Sequence, residues 1–154
     1  MGERLERLIE HLAWADREVI RCLKRHSALP PNAVPLMAHV LAAEKVWLCR
    51  ATGQGELAPP VWPRLSLDEC DVMGVQNADA LRQLAFPYDP ERMGRIVSYR
   101  NTRGDQFENA LEDILLHVCM HGSYHRGQIA AVVRASGGEP INTDYITFVR
   151  MQGG

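Results

Sequence analysis

The stretch LEDILLHVCMHGSYHRGQIAAV, residues 111–132, decides the reading of this chain. Leu111, Ile114, Val118, His121, His125, Gln128 and Val132 follow one unbroken alternation of three and four residues. That spacing marks a single face of an α-helix. The apolar members must meet a core, so His121 and His125 are expected to turn inward with them, and His117 to sit at the edge beside Val118. Asn109 and Glu112 form a capping pattern at the start of this helix. Gly137, Gly138 and Pro140 close it near Ser136.

Working outward, the chain supplies three further helical stretches. From about Arg4 to Arg25, Leu5, Ile9, Leu12, Val19 and Leu23 make one apolar stripe, with Asp16 at the single stripe position that is not apolar. A carboxylate there is either satisfied by a buried partner or placed for function. The segment SALPPN, residues 27–32, ends this helix, and Asn32 is placed to cap a second one running to about Ala51. Ser66 and Glu69 form a capping box opening a third, weaker helix to about Leu84, interrupted by Gly74. Between Met93 and Phe107 the pattern changes to a short β-hairpin or extended excursion. The expected fold is all-α, a four-helix bundle in one domain covering residues 1–154, with that excursion between the third and fourth helices.

Composition narrows the function classes. Hydrophobic residues make up 46% and charged residues 23%, a globular rather than a disordered balance. Seventeen basic against nineteen acidic side chains give a formal charge of −2, which disfavours nucleic acid as a partner. No apolar run approaches the roughly 20 residues of a membrane span. The opening residues MGERLER alternate charge instead of leading into a signal core, and the four cysteines, Cys22, Cys49, Cys70 and Cys119, form no CxxC pair. Reduced thiols and a cytoplasmic location are expected.

The histidines carry the chemistry. A lone imidazole on an inward face is ordinarily a hydrogen-bonded core residue. Two in succession, followed by Gln128, each need partners for both ring nitrogens, and a divalent metal satisfies two rings at once. A third ligand would come from another helix. His39 fits if Leu36, His39, Ala43 and Val46 face the core; the competing seam of Leu36, Val40, Ala43 and Trp47 puts it at the edge. His11 and His26 read as surface residues, and Trp14, Trp47 and Trp62 as core fillers. No Glu precedes a His by three residues, which removes a ferritin-like di-iron site, and HExxH is absent. A mononuclear three-histidine site with open positions remains, the catalytic arrangement rather than the structural one. Asp16 and Gln128 are candidates for orienting the imidazoles. Arg126 lies about 100° around the helix from His125, where it would meet solvent, a carboxylate or a second subunit.

At these residues the chain resembles the DinB/YfiT-like family of metalloenzymes. WADREVIRCL (14–23) is similar to the family's first-helix signature and HVLAAEKVWL (39–48) with Gly53 to its second. HVCMHGSYHRGQI (117–129) is the most specific match, and PINTDYI (140–146) resembles the closing segment. Met120 stands where Asn is common in the family. The resemblance implies a four-helix bundle, commonly a homodimer, with one divalent metal per chain (nickel or zinc, with iron as a further candidate) on His39, His121 and His125. Several such relatives are thiol-dependent, among them bacillithiol and mycothiol S-transferases and a mycothiol-dependent maleylpyruvate isomerase; others have no established activity. The implied activity is a metal-dependent transferase that activates a low-molecular-weight thiol against an electrophile. The alternative is a stress-associated metal-binding or interaction protein without turnover. The role of His117 stays open.

Overall fold

A computed structural model describes residues 1–153. Four long helices form the body: α1 (Gly2–Arg25), α2 (Ala33–Ala51), α3 (Leu67–Ala85) and, after the two short segments described below, α5 (Leu111–Ala135). α1 packs on α3 and α5, and α2 packs on the same two, closing a four-helix bundle. The stripe of α1 is buried as its spacing requires, and its last turn stops at His26, whose amide donates to the Leu23 carbonyl.

α3 begins on the expected capping box. The Glu69 amide donates to Ser66 Oγ (3.2 Å) and the Ser66 amide to Glu69 Oε2 (2.7 Å). It runs unbroken through Gly74, which faces α1 and α2 near Leu41 and Ile20 with ordinary room for a Cβ. Asn32 precedes α2 but does not cap it: its backbone is already helical (φ −91°, ψ −10°), and its side chain makes no capping bond. A 3-10 turn (Gly55–Leu57) and a proline-rich loop lead from α2 to α3.

The excursion is a hairpin. A one-turn helix, α4 (Pro90–Met93), precedes β1 (Ile96–Arg100) and β2 (Gln106–Ala110), which pair antiparallel from Ile96 opposite Ala110 to Arg100 opposite Gln106. β2 enters α5 without a loop. Asn109 therefore lies in the strand, accepts from the Tyr99 hydroxyl at 2.7 Å, and leaves Ala110 as the α5 N-cap, contrary to the expected capping pattern. A last short helix, α6 (Tyr145–Met151), was not expected; it buries Phe148 against α1. The segment before it is tied down by His11, whose Nε2 lies 2.7 Å from the Thr143 carbonyl. His11 is buried at 4% exposure, not a surface residue, and His26 is half-buried with Nδ1 on the Cys22 carbonyl.

Two apolar clusters fill the bundle. One gathers Leu5, Ile9 and Leu12 with Leu81, Leu111 and Leu115; the other gathers Val19, Ile20 and Leu23 with Met37, Leu41, Ile129 and Val133. Between them in sequence on each long helix stands one buried polar residue: Asp16, Glu44, Asn77 and Arg126. Arg126 Nη1 donates to Asp16 Oδ1 at 2.6 Å, and Asn77 Nδ2 donates to Glu44 Oε2 at 3.0 Å and to the Leu41 carbonyl at 2.9 Å.

Candidate metal centre

Arg126 rotates α5 away from its expected seating. The deepest line on this helix passes through Leu115, Cys119, Gly122, Arg126, Ile129 and Val133, one residue on from the expected seam. His121 and His125 consequently stand on the flank of the core, half-buried, facing α2. His39, buried at 8% exposure, meets them from α2, which is covered on nearly every side, so neither of its two candidate seams describes it alone.

One ring nitrogen from each of His39, His121 and His125 falls within 4.8 Å of the other two. The Nε2 atoms of His121 and His125 are 3.1 Å apart. Two nitrogens bound about 2.0–2.1 Å from one tetrahedral zinc ion would stand about 3.3 Å apart, so the spacing suits a shared ion. The outer nitrogens fix the tautomers. His39 Nδ1 donates to the Val61 carbonyl at 2.6 Å and His125 Nδ1 to Gln128 Oε1 at 2.6 Å, leaving Nε2 of each ring as a bare lone pair. Burial, and next the neighbouring His125, His39 and His117 rings, push His121 down to about 4. Burial likewise lowers His39. Both rings are therefore neutral at neutral pH, the state a metal ligand requires. The donor set, its tautomers and its spacing fit a divalent ion.

Trp62 completes the surroundings. Read as a core filler, it is instead 56% exposed and stacks on His39 with ring centres 3.9 Å apart and planes 11° from parallel. Neither Trp62 nor the Val61 carbonyl was legible from spacing, because the proline-rich loop that brings them lies over 20 residues from His39 and has no periodicity to project. Asp16 points elsewhere: it pairs with Arg126, so its contact in this structure is a guanidinium and not an imidazole. His117 stays outside the trio, edge-on to Trp47 at 5.1 Å and tilted against His121 at 5.7 Å.

Beside the trio opens a cleft of about 760 Å³ between the last turns of α2, the proline-rich loop and the hairpin, with Val61 and Trp62 common to both. No cysteine belongs to the cluster of three histidines. All four cysteines are free and buried, and burial pushes Cys70 up to about 11 and Cys119 to about 12, which keeps these two thiols protonated. Among the described residues no helix is long and apolar enough to cross a membrane.

The comparisons agree with this architecture. Protein DinB of Bacillus subtilis (strain 168) is 21% identical over 160 residues, spanning 94% of this chain and 93% of that protein. The family model described as the DinB family matches residues 1–153. By a match that takes in all four long helices and every histidine of the trio, the chain belongs to the DinB family.

Proposed function

We propose that the protein is a metal-dependent transferase that activates a low-molecular-weight thiol against a small electrophile. The observation that carries it is the convergence of three imidazole nitrogens within 4.8 Å beside an open cleft, with two rings held in the tautomer that offers Nε2. A divalent ion held by His39, His121 and His125 would supply the positive charge that keeps a thiol deprotonated near neutral pH. Three protein ligands leave a position for a substrate atom. The chain's part is positional: the Val61 carbonyl and Gln128 aim two rings, Trp62 covers one face of His39, and the cleft admits the second reactant. The buried cysteines make an outside thiol necessary.

One ion per chain, nickel or zinc, belongs to this reading, as does a cytoplasmic homodimer. Met120 and Tyr124, 66% and 67% exposed on the outer face of α5, support self-association. The test has two stages. Protein purified without a histidine tag is titrated with nickel and zinc, and metal at a hundredfold excess over its Kd is expected to raise unfolding stability by about 2.7 kcal/mol. His121→Ala should abolish that gain. Metal-loaded protein is then incubated anaerobically with monochlorobimane and candidate thiols. Thiol consumption no faster than with His121→Ala would remove the transferase reading and leave a metal-binding protein without turnover.

A further inference from the structure

The cleft beside the histidine trio carries a charge arrangement that the three ligands do not explain. Arg21, Arg82, Arg103 and Arg126 each meet a carboxylate. Arg50, on the cleft wall, meets none among the described residues. Its guanidinium rests instead against two rings that pack edge-on to each other, 4.5 Å from the centre of Trp47 and 5.1 Å from that of Tyr99. Such contacts restrain a rotamer-rich side chain and leave its N–H fork free. Burial lowers the pKa of this group, the mark of a charge partly stripped of water with no anion in return. Arg100 adds a second positive charge to the same wall and Glu56 the one negative charge, so the lining carries a net positive charge.

We propose that the cleft binds an elongated organic carboxylate whose acid group is received by the Arg50 fork while its other end lies along the cleft toward Val61 and Trp62, the residues that adjoin His39. A planar guanidinium held against aromatic rings matches a planar carboxylate through two parallel hydrogen bonds. A cavity of about 760 Å³ has room for an occupant of roughly tripeptide size. The inference names the substrate class of the proposed thiol transferase and rests on that reading for the reaction it serves, though binding itself needs no metal.

The experiment uses metal-free protein and S-methylglutathione, a tripeptide with its carboxylates intact and its sulfur blocked. Calorimetry is expected to show saturable binding, weakened about tenfold or more by Arg50→Gln. Arg50→Lys should recover part of the loss. Arg134→Gln, in the last turn of α5, should change nothing, and the diethyl ester of the probe should lose affinity as Arg50→Gln does. Circular dichroism confirms that each variant is folded; should Arg50→Gln fail to fold, the ester and Arg50→Lys decide. Equal binding of acid and ester, equal binding by wild type and a folded Arg50→Gln, no saturable binding to wild type, or tighter binding of inorganic phosphate would each overturn the proposal. His121→Ala separates this inference from the function it serves: it should lose metal and keep the probe, so either claim can fail without the other.

Discussion

Gln128 shows how much of the candidate centre depends on a residue that would touch no ion. Its Oε1 takes the Nδ1 proton of His125 at 2.6 Å, which holds the ring in the tautomer with Nε2 bare. Without that acceptor the ring is free to rotate and to place its proton on either nitrogen, and both freedoms oppose ligation. Gln128→Ala is expected to weaken zinc or nickel affinity about 10- to 100-fold with little loss of stability in the metal-free protein. Gln128→Glu, which keeps the acceptor, should hold near wild-type affinity. Competitive chelator titration reads both, and an unchanged affinity in Gln128→Ala would show that the Gln128 contact does not prepare the ring. His39 is oriented differently, by a backbone carbonyl that no side-chain substitution removes.

The helix α5 is where sequence and structure part by one residue, and the reason is chemical. The heptad pattern was legible because Leu111, Ile114 and Val118 are apolar and are buried. The further course of the inner line was not, because an arginine counts as an outward residue until its carboxylate is known. Asp16, 110 positions earlier, is that partner, and the ion pair brings Arg126 to 3% exposure. The same logic separates what else could be read. Ser66 and Glu69 announce α3 because a capping box is local, whereas Asn109 misleads because β2 claims it through the non-local pairing with Val97. The trio's membership was legible on α5 from spacing; on α2 spacing put His39 forward against a competing seam, and the family resemblance agreed. Two glycines on α5 give this account a test. A Cβ at Gly122 would lie 2.7 Å from Arg126 Nη1, which the Asp16 pair holds in place, so Gly122→Ala should lower stability by about 2 kcal/mol. Gly127 is exposed and its Cβ would meet nothing within 4 Å, so Gly127→Ala should raise stability by about 0.5–1 kcal/mol. Chemical denaturation of the two variants measures the difference, and a stabilised Gly122→Ala would mean that the arginine is loosely held.

Across the whole molecule the buried polar layer and the histidines set opposite limits on stability. Each long helix gives one polar residue to the layer, and the charges balance only if one carboxyl keeps its proton. Glu44 is that carboxyl. Burial first, and then the neighbouring Asp16, raise it well above the ordinary carboxylate range, and its Oε1 finds no donor while Oε2 is held by Asn77. A protonated Glu44 donating to Asp16 resolves the contact between two acids and leaves the Asp16–Arg126 pair as the layer's one ion pair. Because the folded pKa lies above the unfolded value of 4.5, the folded state holds a proton that the unfolded chain gives up, and this contribution to stability declines as pH rises through that interval. The histidines act in reverse. His11, His39 and His121 are all held below 6.5 by burial, so as pH falls below 6.5 the unfolded chain takes up protons that the folded chain refuses, down to about 4 for His121. Stability should therefore fall on both sides of an intermediate pH. Glu44→Gln supplies the N–H that the proton supplied and cannot ionise, so it is expected to flatten the alkaline arm and, because Glu44 titrates against the histidines between 4.5 and 6.5, to steepen the acid arm there. Asp16→Ala strands a buried guanidinium and should cost about 3–5 kcal/mol at every pH where the protein folds. Urea unfolding of wild type, Glu44→Gln and Asp16→Ala across pH 5 to 9 gives all three curves. An alkaline arm that survives Glu44→Gln would show that ionisation of Glu44 does not cause it, and the assignment of the buried proton to this carboxyl would fall.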